Sequence, residues 1–285
     1  METLSFLLYP FLACLLLILI HAYFGIHILE RGIIFVDLAL AQFIGIGIAI
    51  SFLLGEDGSY TLPLVFAVIG AAVLSLSRKV VGLVNVEAFI GVIYIFSVSA
   101  AILILDRSPH GMEEFKAILN GNILWVTPHE LLITLVIYSA VGLLHLLLWK
   151  RFIALSYEGK GGLLMEFLFF LSFAVVLVKS VQLAGILQVF SFLVLPALIS
   201  RLYFRKPLRI LLFGWLIGVA TSVLGIFLSY RLDLPTAPLI VTSLALTFFV
   251  LLLLKAGTRN LGKPVHPPQT LESVPDNHSG TDLAE

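Results

Sequence analysis

Apolar residues along this chain come in blocks of about twenty, long enough for a helix rising about 1.5 Å per residue to cross a hydrocarbon layer of roughly 30 Å. Short clusters of charged residues, glycine and proline separate them. Reading blocks against breaks gives spans at 4–28, 32–54, 62–77, 87–105, 129–149, 162–180, 181–200, 208–230 and 236–254. The chain is thus predicted to be all-α, a polytopic membrane helix bundle of about nine spans. Near Lys179 to Gln182 no polar loop separates the sixth span from the seventh, so a long re-entrant hairpin is the rival reading there.

The second block, GIIFVDLALAQFIGIGIAISFLL, places Asp37 inside the apolar layer and follows it with Gln42, Gly45 and Gly47. An acid at mid-membrane costs roughly 2.5 to 3.5 kcal/mol on insertion scales, so such a residue calls for a reason. Two readings stand. In one, Asp37 turns toward a water-filled path. In the other it is a structural acid, paired with a neighbouring helix or kept wet near the headgroups, since it lies only about 8 Å along the helix from Arg31.

Composition and charge sharpen the picture. Of the 285 residues 60% are apolar and 12% charged, about half the charged share of a soluble domain. One transmembrane domain is expected over 1–255. The stretch 256–285, polar and proline-rich, is expected to be a disordered cytoplasmic tail. The start METLSFLLYP has no basic leader region, so a retained first span is expected. The single cysteine, Cys14, excludes an intramolecular disulfide and a Cys-rich metal site.

Orientation follows from where the basic residues fall. If the segment after the seventh span is cytoplasmic, thirteen of the 17 lie inside: Arg31, Arg78, Lys79, Lys150, Arg151, Lys160, Arg201, Arg205, Lys206, Arg209, Lys255, Arg259 and Lys263. Arg107, Lys116, Lys179 and Arg231 remain outside. The N-terminus is then outside and the C-terminus cytoplasmic. Between Asp106 and Pro128 lies the longest external connection, whose EEFKAIL core has helical spacing and predicts a short surface helix.

No catalytic constellation stands out. His21 and His27 are six positions apart, about 120° from eclipsing on a helix, and each reads as a packed or interfacial histidine; His145 stands alone on its span and reads as hydrogen-bonded to a neighbour. His110, Glu113 and Glu114 sit on a wet loop and read as solvated. Lys179 can snorkel outward, and Glu166 lies too far along the same helix to pair with it. Gly257 to Lys263 spells G-x-x-x-x-G-K, but Pro264 stands where a phosphate loop needs Ser or Thr, so nucleotide binding is not expected here. Gly214, Gly218, Ser222, Gly225 and Ser229 draw a small-residue stripe for close helix packing, within the chain or against a second copy. Pro196 to Arg209, PALISRLYFRKPLR, is short, basic and amphipathic. It suits a helix lying along the membrane face, pressed against another protein or against lipid headgroups.

The run from Gln182 to Pro238, with its Gly-Ile-Leu, Leu-Pro-Ala and Leu-Asp-Leu-Pro-Thr pieces, resembles the C-terminal half of permease subunits from the zinc, manganese and iron group of ABC importers. ERGIIFVDLALAQ resembles that family's second-span signature, and GNILWVTPHELL its mid-chain segment. The resemblance implies a multi-pass permease in the bacterial cytoplasmic membrane, working as two copies in the lipid bilayer. It implies a cytoplasmic ATPase dimer as the user of ATP, an extracytoplasmic substrate-binding protein as partner, no nucleic acid, and no cofactor on this chain. Arg201, Arg205, Lys206 and Arg209 would then be similar to the segment that docks on the ATPase. Asp37 and Gln42 would lie on the path of a divalent metal ion or a metal chelate. The family pattern is commonly Asp-Ala-Leu-Ala-His. Here the acid stands one position earlier, at Asp37, and Gln42 replaces the histidine. They differ by five positions, about 140° on a regular helix, so they do not face one small ion together. A secondary transporter or channel using Asp37 as a proton or cation relay is the alternative.

Overall fold

The computed structural model describes residues 2–56, 59–77, 83–121 and 123–260, and side chains from residue 7 to residue 257 within those ranges. Its elements are helices throughout: α1 (Glu2–Arg31), α2 (Val36–Leu53), α3 (Thr61–Ser75), α4 (Val86–Leu105), α5 (Gly111–Asn120), α6 (Pro128–Leu147), α7 (Trp149–Tyr157), α8 (Leu163–Tyr203), α9 (Pro207–Leu232) and α10 (Thr236–Asn260). Among the described residues seven helices are long and apolar enough to cross a membrane; α3 is apolar but has only 15 residues. Helix α10 continues through Asn260, past the boundary expected after Lys255.

Local sequence sets the helix ends. Gly32, at a φ of 64°, closes α1: its N–H bonds the Leu29 carbonyl at 3.4 Å and the Ile33 N–H bonds Ile28 at 3.3 Å, the paired bonds that cap orphan helix carbonyls. Helix α4 opens on Asn85, whose side chain accepts from the Ala88 N–H at 3.1 Å. Helix α6 opens on a capping box of Thr127 and Glu130, with Pro128 at the first helical position.

The junction left open between two spans and a hairpin resolves at Gly185. Helix α8 has 41 residues, about 60 Å of straight helix and twice an apolar layer. Gly185 breaks it with a φ of 74° and ψ of 164°. The arms on either side double back: Glu166 near its start and Arg201 near its end both meet the last two residues of α1, while Gln188 lies beside Cys14, well up the same helix. Only glycine fits the bend, because a Cβ on Gly185 would stand 2.3 Å from the Gly121 nitrogen and one on Gly121 2.1 Å from the Ala184 carbonyl carbon. The turn lies four residues beyond the Ser180–Val181 boundary because Lys179, Ser180 and Leu183 are buried helix positions, not a loop.

Aromatic packing around α1 fills the centre, where Phe24, Phe152, Phe169, Phe170 and Phe173 are all essentially without exposure. Burying such side chains in a dense interior gains dispersion contacts that lipid tails match less closely. The small-residue stripe of α9 is consumed inside the chain. Gly214 lies against the Pro196 carbonyl, Gly218 against Ile18 and Gly225 against Ile240 of α10.

Alternate helix ends sort the charges. At the end of the bundle holding Arg31 stand Lys150, Arg151, Lys160, Arg201, Arg205, Lys206, Arg209 and Lys255; at the opposite end stand Arg107, Lys116, Lys179 and Arg231. Arg78, Lys79 and Lys263 lie outside the described residues, as does the side chain of Arg259.

Candidate functional site

Helix α2 begins one short turn after Gly32, and the N–H of Phe35 just before it bonds the Glu87 carboxylate at 3.4 Å. Asp37 occupies the first turn, where the helix N-terminus favours a negative charge. Its side chain is fully buried, and neither carboxylate oxygen has a hydrogen-bond partner among the described residues. Among the described residues the structural-pair reading of Asp37 finds no partner, and the side chain is buried in the chain rather than exposed at its surface. Gln42 is also buried, at 2% exposure. Its amide oxygen lies over Gly45, toward the far end of the helix, and no hydrogen bond joins it to Asp37 among the described residues. No group of three or more His, Cys, Asp or Glu side chains is arranged to hold a metal among the described residues.

The other buried acid is Glu166, on the first arm of α8. Arg31 donates to it at 2.5 Å, and the guanidinium rests over the rings of Phe169 and Phe170 at 5.2 and 5.0 Å. Arg31, Glu166 and Glu87 line an open cleft of about 500 Å³ at this end of the bundle, with Ile33 and Asn85 among its walls.

Two expectations require correction. Lys179 does not snorkel outward: it is 1% exposed, with its ammonium 2.9 Å from the Tyr60 hydroxyl and 5.3 Å from the centre of that ring, which together replace solvent. Nor does Pro196 to Arg209 form a helix along the membrane face. Its first half is the buried end of α8, Phe204 caps that helix, and Pro207 already starts α9, leaving no length for a separate element. Arg201 is engaged with Glu30 at 2.5 Å and with the Ile26 and Leu29 carbonyls, whereas Arg205, Lys206 and Arg209 are exposed.

The short surface helix at that end is instead α7. It turns Phe152, Leu155 and Ser156 inward and leaves Lys150 and Arg151 exposed. The spacing of those three residues was the available signal, hidden because the apolar span before it runs straight into Trp149. Burial pushes the Tyr157 hydroxyl above its usual pKa, Glu30 adding to the effect and Arg201 opposing it, so it stays a neutral phenol hydrogen-bonded to Arg201.

His21, His27 and His145 are packed, as read from the sequence, but His27 and His145 converge in a way the sequence does not announce. His145 bridges Ser172 at 2.8 Å and Tyr23 at 3.0 Å and stacks on Phe152 at 4.1 Å; His27 bonds Ser156 at 2.9 Å. Both therefore anchor α7 to the core. At the opposite end α5 forms where helical spacing was read. Its Phe115, Ile118 and Leu119 pack with Ala41 and Ala49 of α2 and with Val181 and Ile186 beside the α8 bend.

Residues 3–255 match the family described as the ABC 3 transport family. The chain belongs to that family. It is 29% identical over 199 residues to a probable metal transport system membrane protein of Chlamydia trachomatis, covering 66% of this chain and 67% of that one. It is 27% identical over 236 residues to a probable iron transport system membrane protein of Haemophilus influenzae, covering 80% and 83%. Its fold resembles a chain of PsaBC from Streptococcus pneumoniae, solved in complex with Fab, with a TM-score of 0.71 at 23% identity over 86% of this chain and 90% of that one. The polytopic helical fold and the family anticipated from the motifs stand on these matches.

Proposed function

We propose that this chain is the membrane-spanning permease subunit of an ATP-driven importer for a divalent metal ion or a metal chelate, in the bacterial cytoplasmic membrane. The observation that supports the reading is Asp37: a buried carboxylate with no hydrogen-bond partner among the described residues, in a chain of a transport family, on the helix whose signature resembles that of metal permeases. An acid left unpaired in an apolar bundle is a liability unless a passing cation uses it. Hard oxygen donors of this kind favour ions such as manganese or ferrous iron over softer thiolate-seeking ones.

The end of the bundle rich in exposed basic residues is the cytoplasmic one by the positive-inside rule, which puts the N-terminus outside and the C-terminus inside. There Arg205, Lys206 and Arg209, with Lys150 and Arg151 on α7, form the surface on which a dimer of ATPase subunits docks. A second copy of the chain completes the conduit, and the opposite face, carrying α5, receives a substrate-binding protein.

The test is uptake of labelled manganese and iron into proteoliposomes holding the chain with its co-purifying ATPase. Expected is ATP-dependent uptake that fails when Arg205 and Lys206 are reversed to Glu. Uptake at full rate by the chain alone, without any ATPase, would overturn the reading.

A further inference from the structure

Helix α1 ends on two adjacent residues of opposite charge, and the two feet of the α8 hairpin stand beside them. Arg31 grips Glu166 on the first foot at 2.5 Å, and Glu30 grips Arg201 on the second at 2.5 Å. Neighbouring helix positions point about 100° apart, so one helix end reaches two different arms. The signs are crossed: base to acid on one foot, acid to base on the other. Side-chain exposure is 12% and 5% for the first pair and 29% and 35% for the second, so the first is well shielded from water and the second is partly wet.

Further contacts cross the same seam: Arg31 lies over the rings of Phe169 and Phe170 on the first foot, and Arg201 reaches the Ile26 and Leu29 carbonyls of α1. All of them part together with the ion pairs. The first pair borders an open cleft and the second is partly exposed, so water can take the place of each partner on separation, as a fastening that opens requires. Arg31 and Glu166 also form part of the wall of the 500 Å³ cleft, so parting them widens its mouth.

We propose that the Glu30–Arg201 and Arg31–Glu166 pairs form a clasp that holds both feet of the α8 hairpin against α1 and parts when the transporter opens at this end. The inference rests on the transporter reading, because a conduit has to open and close. It makes these four residues positioning residues for the conformational change, not contacts for the cargo.

The test is a distance measurement on the full-length chain in lipid nanodiscs, with a spin label on Phe35→Cys beside the end of α1 paired in turn with one on Leu164→Cys and one on Leu208→Cys, exposed positions flanking the two feet; Cys14 is buried and stays unlabelled. In the parent a short-distance population should dominate. Glu166→Arg or Arg201→Glu should raise the long-distance population on the order of tenfold, and the exchanged pairs Arg31→Glu with Glu166→Arg, or Glu30→Arg with Arg201→Glu, should restore the short one. If a reversal prevents folding, Glu166→Gln and Glu30→Gln supply a gentler loosening with the same direction. Identical distance distributions in parent and loosened variants, or folded exchanged pairs that remain open, would overturn the clasp. The distances need no ATPase, so a chain that shows the clasp yet neither binds an ATPase nor takes up metal would count against the importer reading alone.

Discussion

Asp37 and Glu166 are the two buried acids among the described residues, both near the Arg31 end of the bundle, and their surroundings differ completely. Glu166 meets a guanidinium at 2.5 Å, backed by two aromatic rings; Asp37 meets no donor among the described residues. Burial alone does not separate a structural charge from a working one. Partnership does. A paired acid holds helices together, whereas an unpaired one costs stability, which is why Asp37 and not Glu166 is the acid proposed for the path of the cargo.

The contrast is broken most sharply at Asp37. Asp37→Asn should lower metal uptake at least about tenfold while raising the melting temperature in detergent by about 2 °C or leaving it unchanged, since it removes a buried ionisable group with no partner. A large loss of thermal stability would instead mark Asp37 as structural. Next, Glu166→Gln should cost about 2 to 3 kcal/mol of stability, read as a lowered melting temperature, because it leaves the Arg31 charge facing a neutral amide. A smaller effect is expected from Arg31→Lys, about 1 kcal/mol, since an ammonium keeps the charge but loses the planar stacking on Phe169 and Phe170. Smallest of all, Gln42→Ala should change uptake about threefold or less, because Gln42 points along its own helix away from Asp37; metal-dependent uptake assays on the same preparations decide this. A Gln42 effect as large as that of Asp37 would show that the two act together after all.

Much of this fold is legible in apolar run lengths, because lipid as solvent demands long helices with every backbone group satisfied. The sorting of basic residues to the two ends was legible for the same reason. What escaped was tertiary. The bend of α8 hangs on Gly185, one glycine among many in apolar stretches, and only its contact with Gly121 explains the position. Lys179 looked free because nothing in the chain says that Tyr60, some 120 residues earlier, will cover it. Arg201 looked like its neighbours Arg205 and Lys206, and only the approach of Glu30 sets it apart. For Asp37 the sequence could raise the question of a partner but not answer it. That no partner reaches it among the described residues is a property of the surrounding helices.

The single-residue bend of α8 also constrains how this chain can change over time. Because Gly185 leaves no slack, deleting or inserting one residue between 186 and 200 would spin the remaining return arm by about 100°. Arg201 would swing off Glu30, and Ser200 away from Gly214, in one step. Length in this arm is thus more tightly held than the identity of most of its side chains, and drift there can proceed by replacement but not by gaps.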